Sequence, residues 1–257
     1  MQDPVSDLIE EARRILDEAS NSGVTLRLVG GVAVRLSCPS ASKEPLARMY
    51  RDADLVGRGS ETRKIKELFA RLGYAPRETF NAMQGGRRMI FNDLANQRRV
   101  DIFQDYFQMS HKLDLRQRMA LRAMTLPLAD LLETKLQIVQ MNDKDYKDIL
   151  ALLIDHEFGP DDRGEQINSG HTVGLCADDW GIYKTFTTNL QKVVENLGRF
   201  PLEKAKSDLA ETRAKKLASD IESAPKTLRW RLRARIGERV AWYETPEADA
   251  GVVDSRF

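Results

Sequence analysis

Val24-Thr-Leu-Arg-Leu-Val-Gly-Gly-Val-Ala-Val-Arg-Leu36 opens as a partly alternating run of strand formers and breaks at Gly30-Gly31. It resumes in residues that fit a short helix, so a strand is expected to run through a glycine turn into a helix N-terminus. Downstream lies Arg48-Met-Tyr-Arg-Asp-Ala-Asp-Leu-Val56, expected to form a second strand over 51–56. On such a strand residues i and i+2 share a face, so Asp52 and Asp54 project side by side. Two adjacent carboxylates repel each other, and a divalent cation relieves that repulsion; hard oxygen ligands of this kind suit Mg²⁺. Further on, Arg98-Arg-Val-Asp-Ile-Phe103 predicts another strand, with Asp101 between two apolar neighbours and facing away from them.

Each signal alone is common, since a Gly-Gly pair is often only a turn and Asp-x-Asp often a solvated face. Their order carries more information: strand, Gly-Gly, short helix, Asp-x-Asp strand, then a third Asp on another strand. Residues without Cβ let an anion approach the backbone, and the following helix N-terminus points N–H groups at it, so Gly30 and Gly31 are candidate phosphate holders. Asp52, Asp54 and Asp101 are candidate metal ligands and catalytic residues for two ions about 3.5–4 Å apart, the arrangement that clamps an in-line phosphoryl displacement.

The remaining pattern is α+β. Apolar residues from Val5 to Ala19 recur at helical spacing after Ser6 and stop before Gly23, which predicts a first helix. Residues 37–50 hold two prolines and three serines and read as a loop. Ser60 is the expected cap of a helix with Ile65, Leu68, Phe69 and Leu72 on one face, closed by Gly73. Strands are expected at 88–92 and near 121–125. Pro127 opens a predicted helix carrying Leu128, Leu131, Leu132, Leu136 and Val139, and another spans about 144–156. The Gly-rich polar stretch 157–176 divides a catalytic α/β part, residues 1–156, from a helical C-terminal part, residues 177–245. In the latter, Asp178 is the expected cap of one helix and Pro201 the opening of the next. Residues 228–236 alternate with period 2 yet also fit a helix, which their composition favours.

These residues resemble the DNA polymerase β-like nucleotidyltransferase superfamily, whose pattern is a Gly-Gly or Gly-Ser turn, then Asp-x-Asp, then a third Asp. Within it they look most like the AbiEii-type branch of type IV toxins. That branch tends to carry an Arg four residues before the first Asp, met by Arg48. It also tends to carry a helical Lys, met in Leu132-Glu-Thr-Lys-Leu136, and a later Lys-Asp-x-x-Asp, similar to Lys144-Asp-Tyr-Lys-Asp148. The resemblance covers residues 24–153 and implies a mixed β-sheet with flanking helices, Mg²⁺ (two ions, with Mn²⁺ as an alternative) and transfer of a nucleoside monophosphate from a nucleoside triphosphate to an acceptor hydroxyl. It implies nucleotide-binding roles for Gly30, Gly31, Arg48, Lys135 and Lys144. The sequence departs from the pattern in the 21 positions from Gly31 to Asp52, a long gap that is an insertion or a substrate lid. Tyr50 also replaces the common Ser or Thr.

Lys135 can be read without the family. It falls among Leu131, Leu132, Leu136 and Val139 on the core-facing stripe, where an unpaired ammonium is costly. It therefore needs an anion, either a structural carboxylate such as Asp148 or the triphosphate. Lys226, Arg229, Arg231, Arg233, Arg235 and Arg239 surround Trp230 and could grip a nucleic-acid backbone, although a solvated helix is the commoner meaning of such a run.

Composition sets outer bounds. The chain has 257 residues, 42% hydrophobic and 31% charged, with 40 Lys and Arg against 39 Asp and Glu; this near balance does not call for nucleic acid or membrane as a partner of the whole chain. Cys38 and Cys176 lack CxxC spacing, and His111, His156 and His171 form no zinc pattern. An acidic N-terminus without an apolar segment implies no signal peptide, and the expected setting is the cytoplasm. The acceptor is expected to be tRNA or a protein side chain; an antibiotic-modifying enzyme or a non-catalytic toxin–antitoxin module are the alternatives.

Overall fold

A computed structural model describes residues 4–84 and 86–245. Helix α1 (Leu8–Asn21) leads into β1 (Leu26–Val29), which passes without a loop into α2 (Gly30–Ser37). Then come β2 (Asp52–Gly57), α3 (Thr62–Arg71), β3 (Ala75–Pro76), α4 (Glu78–Met83), β4 (Arg88–Asp93) and β5 (Arg98–Gln104). A small ribbon, β6 (Tyr106–Gln108) and β7 (Lys112–Asp114), precedes α5 (Leu128–Leu136) and α6 (Asp143–Asp155). The short pair β8 (Phe158–Gly159) and β9 (Ile167–Asn168) leads to α7 (Ser169–Asp178), α8 (Trp180–Asn196), α9 (Lys204–Ser223) and α10 (Leu228–Ile236).

The main sheet has the order β1-β2-β5-β4-β3 and is mixed: β2 runs parallel to β5, and its other pairings are antiparallel. The architecture is thus α+β, as the pattern implies. Burial explains the strands, because β5 is apolar at Val100, Ile102 and Phe103 and all three are buried. One continuous cluster of buried apolar side chains runs from Ala12 of α1 through the sheet, α5 and α6 to Ile221 of α9. Helix α6 is central to it, with Ile149 to Leu153 all but inaccessible.

Several boundaries differ from the sequence expectation. Asp7, not Ser6, caps α1, accepting from the N–H groups of Ile9 and Glu10. A 3₁₀ turn over Gly59–Glu61 takes the place of a Ser60 cap. Asp179, not Asp178, caps α8, and α9 starts at Lys204 rather than at Pro201. Val139 lies beyond the end of α5. The strand expected near 121–125 is reduced to a single bridge between Thr125 and Leu28, because only that short stretch reaches the free edge of β1. Residues 228–236 are helical, with Thr227 as the cap. Among the described residues no helix is long and apolar enough to cross a membrane.

Candidate active site

The register of the sheet places the three aspartates together. Asp54 pairs with Asp101 across the parallel β2–β5 ladder and with Val29 across β1–β2. Paired residues share a face of the sheet, and Asp52 shares it with Asp54. Asp101 is fully buried and is held by two cations: Arg88 Nη2 lies 2.7 Å from its Oδ1, and Arg99 Nε 2.7 Å from its Oδ2. Among the described residues neither the Asp52 nor the Asp54 carboxylate has a hydrogen bond or ion pair, their backbone groups alone being engaged in the sheet. Burial, then Asp101 and Asp52, push the Asp54 carboxyl up to about 7, and Lys135 and Arg88 offset this only in part, the signature of crowded acids.

The glycine turn sits directly over this face. Gly30 has φ +70°, where a side chain is strained, and a Cβ there would overlap Oδ2 of Asp54. A Cβ on Gly31 would overlap Nη2 of Arg48. The glycines therefore make room for the chain's own Asp54 and Arg48, a requirement the sequence does not reveal. They also put the first turn of α2, with its free N–H groups, beside the carboxylates.

Arg48 and Lys135 meet on one buried acid. Arg48 binds Asp148 through two hydrogen bonds, Nε to Oδ1 at 3.0 Å and Nη2 to Oδ2 at 2.9 Å. Lys135 Nζ lies 2.8 Å from Asp148 Oδ2 and 3.2 Å from Asp145 Oδ1. Burial acts to lower the Lys135 pKa, but Asp148 and Asp145 outweigh it and the net shift is upward. Asp148, the carboxylate partner the sequence offers for Lys135, is in contact with it. Lys144 is exposed in the first turn of α6 and joins neither this network nor the aspartates.

The long segment between Gly31 and Asp52 is tied to α6 at three points. Ser40 donates through both its N–H and its hydroxyl to Asp155 Oδ2, Lys147 Nζ donates to the Ala47 carbonyl, and Arg48 binds Asp148. These ties pack the segment against α6.

No family model matches the chain, and no curated protein matches it. Among solved structures its fold is similar to that of the antibiotic-resistance factor ANT(2'')-Ia, whose solution structure reveals substrate-regulated conformation dynamics, with a TM-score of 0.37 and 10% identity over 83% of this chain and 94% of that one. Similarity of this degree carries no argument about chemistry.

A second polar cluster was not singled out in the sequence. Asp130, Glu133 and His171 bring one ligand atom each within 4.8 Å of one another, and they line a cavity of about 440 Å³ together with Asp114, Asp179 and Arg229. The cavity contains none of the aspartates of the sheet. Arg118 donates to both oxygens of Asp130 and to Asp162, while His171 Nδ1 and the Thr172 hydroxyl bond Glu133 Oε1. The spacing of Asp130 and Glu133, three apart on α5, is the one sequence sign of a shared face. His111 and His156 serve the structure through Thr185 and through the carbonyls of Ser37 and Glu165. Cys38 and Cys176 are buried free thiols.

Proposed function

We propose that the chain is a metal-dependent nucleotidyltransferase of the DNA polymerase β-like kind, moving a nucleoside monophosphate from a nucleoside triphosphate to an acceptor hydroxyl. The observation that carries this reading is the pair Asp52 and Asp54: carboxylates with no direct hydrogen-bond or ion-pair partner among the described residues, on the sheet face that Asp101 shares and beside the Gly30-Gly31 turn. Their chemistry fits a hard divalent cation such as Mg²⁺. Such an ion, when bound, neutralises phosphate charge and stabilises the leaving oxygen. Asp52 and Asp54 hold it, and the first turn of α2 at Gly30 and Gly31 orients the triphosphate. Asp101, fixed by Arg88 and Arg99, orients the acceptor hydroxyl. The hydroxyl oxygen bonds to the α-phosphorus as the bond to pyrophosphate breaks, and the hydroxyl proton is released. Arg48 and Lys135 act through Asp148 in holding the turn against the carboxylates, rather than touching phosphate themselves.

For the acceptor, Arg231, Arg235 and Arg239 are exposed and, among the described residues, have no acidic partner, which favours a polyanion such as tRNA over a cationic antibiotic. The test uses calorimetry with Mg²⁺ and each nucleoside triphosphate. Asp52→Ala combined with Asp54→Ala is expected to abolish binding while leaving the circular dichroism spectrum unchanged. In parallel, labelled triphosphate with total tRNA is expected to give labelled RNA with the unsubstituted protein only. Unchanged binding in the double variant would overturn the site assignment.

A further inference from the structure

Tyr50 stands two residues before Asp52, and its hydroxyl oxygen is buried with no hydrogen-bond partner among the described residues. A buried hydroxyl without a partner is costly, so a native structure that keeps one calls for a reason. The ring is fixed in place. The Arg48 guanidinium lies over it, 4.1 Å from the ring centre, and Arg48 is itself pinned by its two bonds to Asp148. Cε1, the ring carbon next to the one that bears the hydroxyl, would lie 3.2 Å from a Cβ on Gly31. The hydroxyl end of the ring therefore abuts the glycine turn. Burial raises the Tyr50 pKa and keeps the phenol protonated as a donor, while Arg48, Arg35 and Lys135, opposed by Asp148, favour negative charge beside it.

We infer that Tyr50 is a positioning residue for the phosphates, its hydroxyl donating a hydrogen bond to a phosphate oxygen of the nucleotide held at Gly30-Gly31. The inference rests on reading the carboxylate face as a nucleotide site. It departs from a role in holding the fold, because a hydroxyl that bonds only a ligand contributes nothing favourable to the free protein. The two roles therefore predict opposite signs.

Tyr50→Phe removes the oxygen and keeps the ring. Three quantities are measured: the melting temperature without ligand, the affinity for each nucleoside triphosphate with Mg²⁺, and the affinity for inorganic tripolyphosphate with Mg²⁺. The variant is expected to melt at the same temperature as the unsubstituted protein or higher, and to bind nucleotide and tripolyphosphate about tenfold or more weakly, the loss of a hydrogen bond to a charged group. A lower melting temperature shows the hydroxyl already bonded in the free protein and overturns the inference. Equal affinities overturn it as well, and so does a loss confined to nucleotides, since the contact is then not to phosphate. If the unsubstituted protein binds neither ligand, the nucleotide-site reading itself falls; if it binds both and Tyr50→Phe binds equally well, only the role of Tyr50 falls.

Discussion

The acids on the β2–β5 face run from the exposed Asp52 through the half-buried Asp54 to the buried Asp101, whereas Asp130 and Glu133 on α5 are both buried, and the two sets are differently treated. Around α5, Arg118 bridges Asp130 and Asp162, and Glu133 is met by His171 and Thr172. On the sheet, Arg88 and Arg99 pair with Asp101, although burial still holds its pKa above the ordinary value, while the Asp52 and Asp54 carboxylates have no direct partner among the described residues. Proximity of carboxylates is thus a poor guide to a metal site, since the tighter cluster of the two is the one closed by its own cations. Charge left uncompensated within a folded structure is the better guide, because repulsion that the fold does not relieve is what a ligand cation would relieve.

The difference is broken most forcefully by opening the closed cluster. Arg118→Met leaves the buried Asp130 and the half-buried Asp162 without their cation, and removing one partner of a buried pair costs about 3–5 kcal/mol. Urea denaturation is expected to show a loss of that order, with no change in nucleotide binding by the protein that remains folded. A loss near zero would show that Asp130 and Asp162 are compensated without Arg118, and the two clusters would no longer differ in kind. A smaller effect is expected at the open site. Gly31→Ala must push Arg48 away from Asp148, and overpacking of this type costs roughly 1–3 kcal/mol. Here stability and binding are expected to fall together, since the turn, Arg48 and Tyr50 shift as one unit. A variant that loses neither would show that Arg48 yields freely and that Asp148 does not fix the turn.

The open site was the more legible of the two in the sequence, and for a physical reason. Its elements are local: a strand ending in glycines, an alternating Asp52 and Asp54, and an Asp101 flanked by apolar neighbours each follow from the period of a strand. Pairing between strands then needed only the sheet register to bring them together. The closed cluster draws on residues 118, 130, 133, 162, 171 and 172, and no local period joins Arg118 to Asp162 across a Gly-rich stretch. The same limit hid the meaning of Gly31, whose neighbour Arg48 is distant in sequence, and the part of Asp145 beside Asp148 in holding Lys135. Helix starts were misplaced by a residue or more where two capping residues stood together, Ser6 with Asp7 and Asp178 with Asp179. In both pairs the observed cap accepts from two backbone N–H groups, which the choice between neighbouring cap-forming residues does not disclose.

The finest distinction between the two clusters lies in their response to pH. Asp54 is held near 7 in the folded protein, against an unfolded carboxyl value of about 3.9. Between those values the folded state keeps a proton that the unfolded state has released, so the free energy of unfolding falls as pH rises. The stabilising contribution is complete below the unfolded value and is lost as pH passes through the folded one. Asp130, pushed up to about 6 by burial and then by Glu133 despite Arg118, acts in the same direction over a lower range. Wild-type protein in chelator is therefore expected to melt lower at pH 8 than at pH 5. Asp54→Asn, which removes the repelled charge and keeps the shape, is expected to narrow that gap chiefly between pH 6 and 8 and to melt higher than wild type at pH 8. The Asp130 contribution persists in this variant and keeps some slope below pH 6. Identical pH profiles for wild type and Asp54→Asn would mean that Asp54 is compensated after all, and the contrast between an open and a closed cluster would not survive.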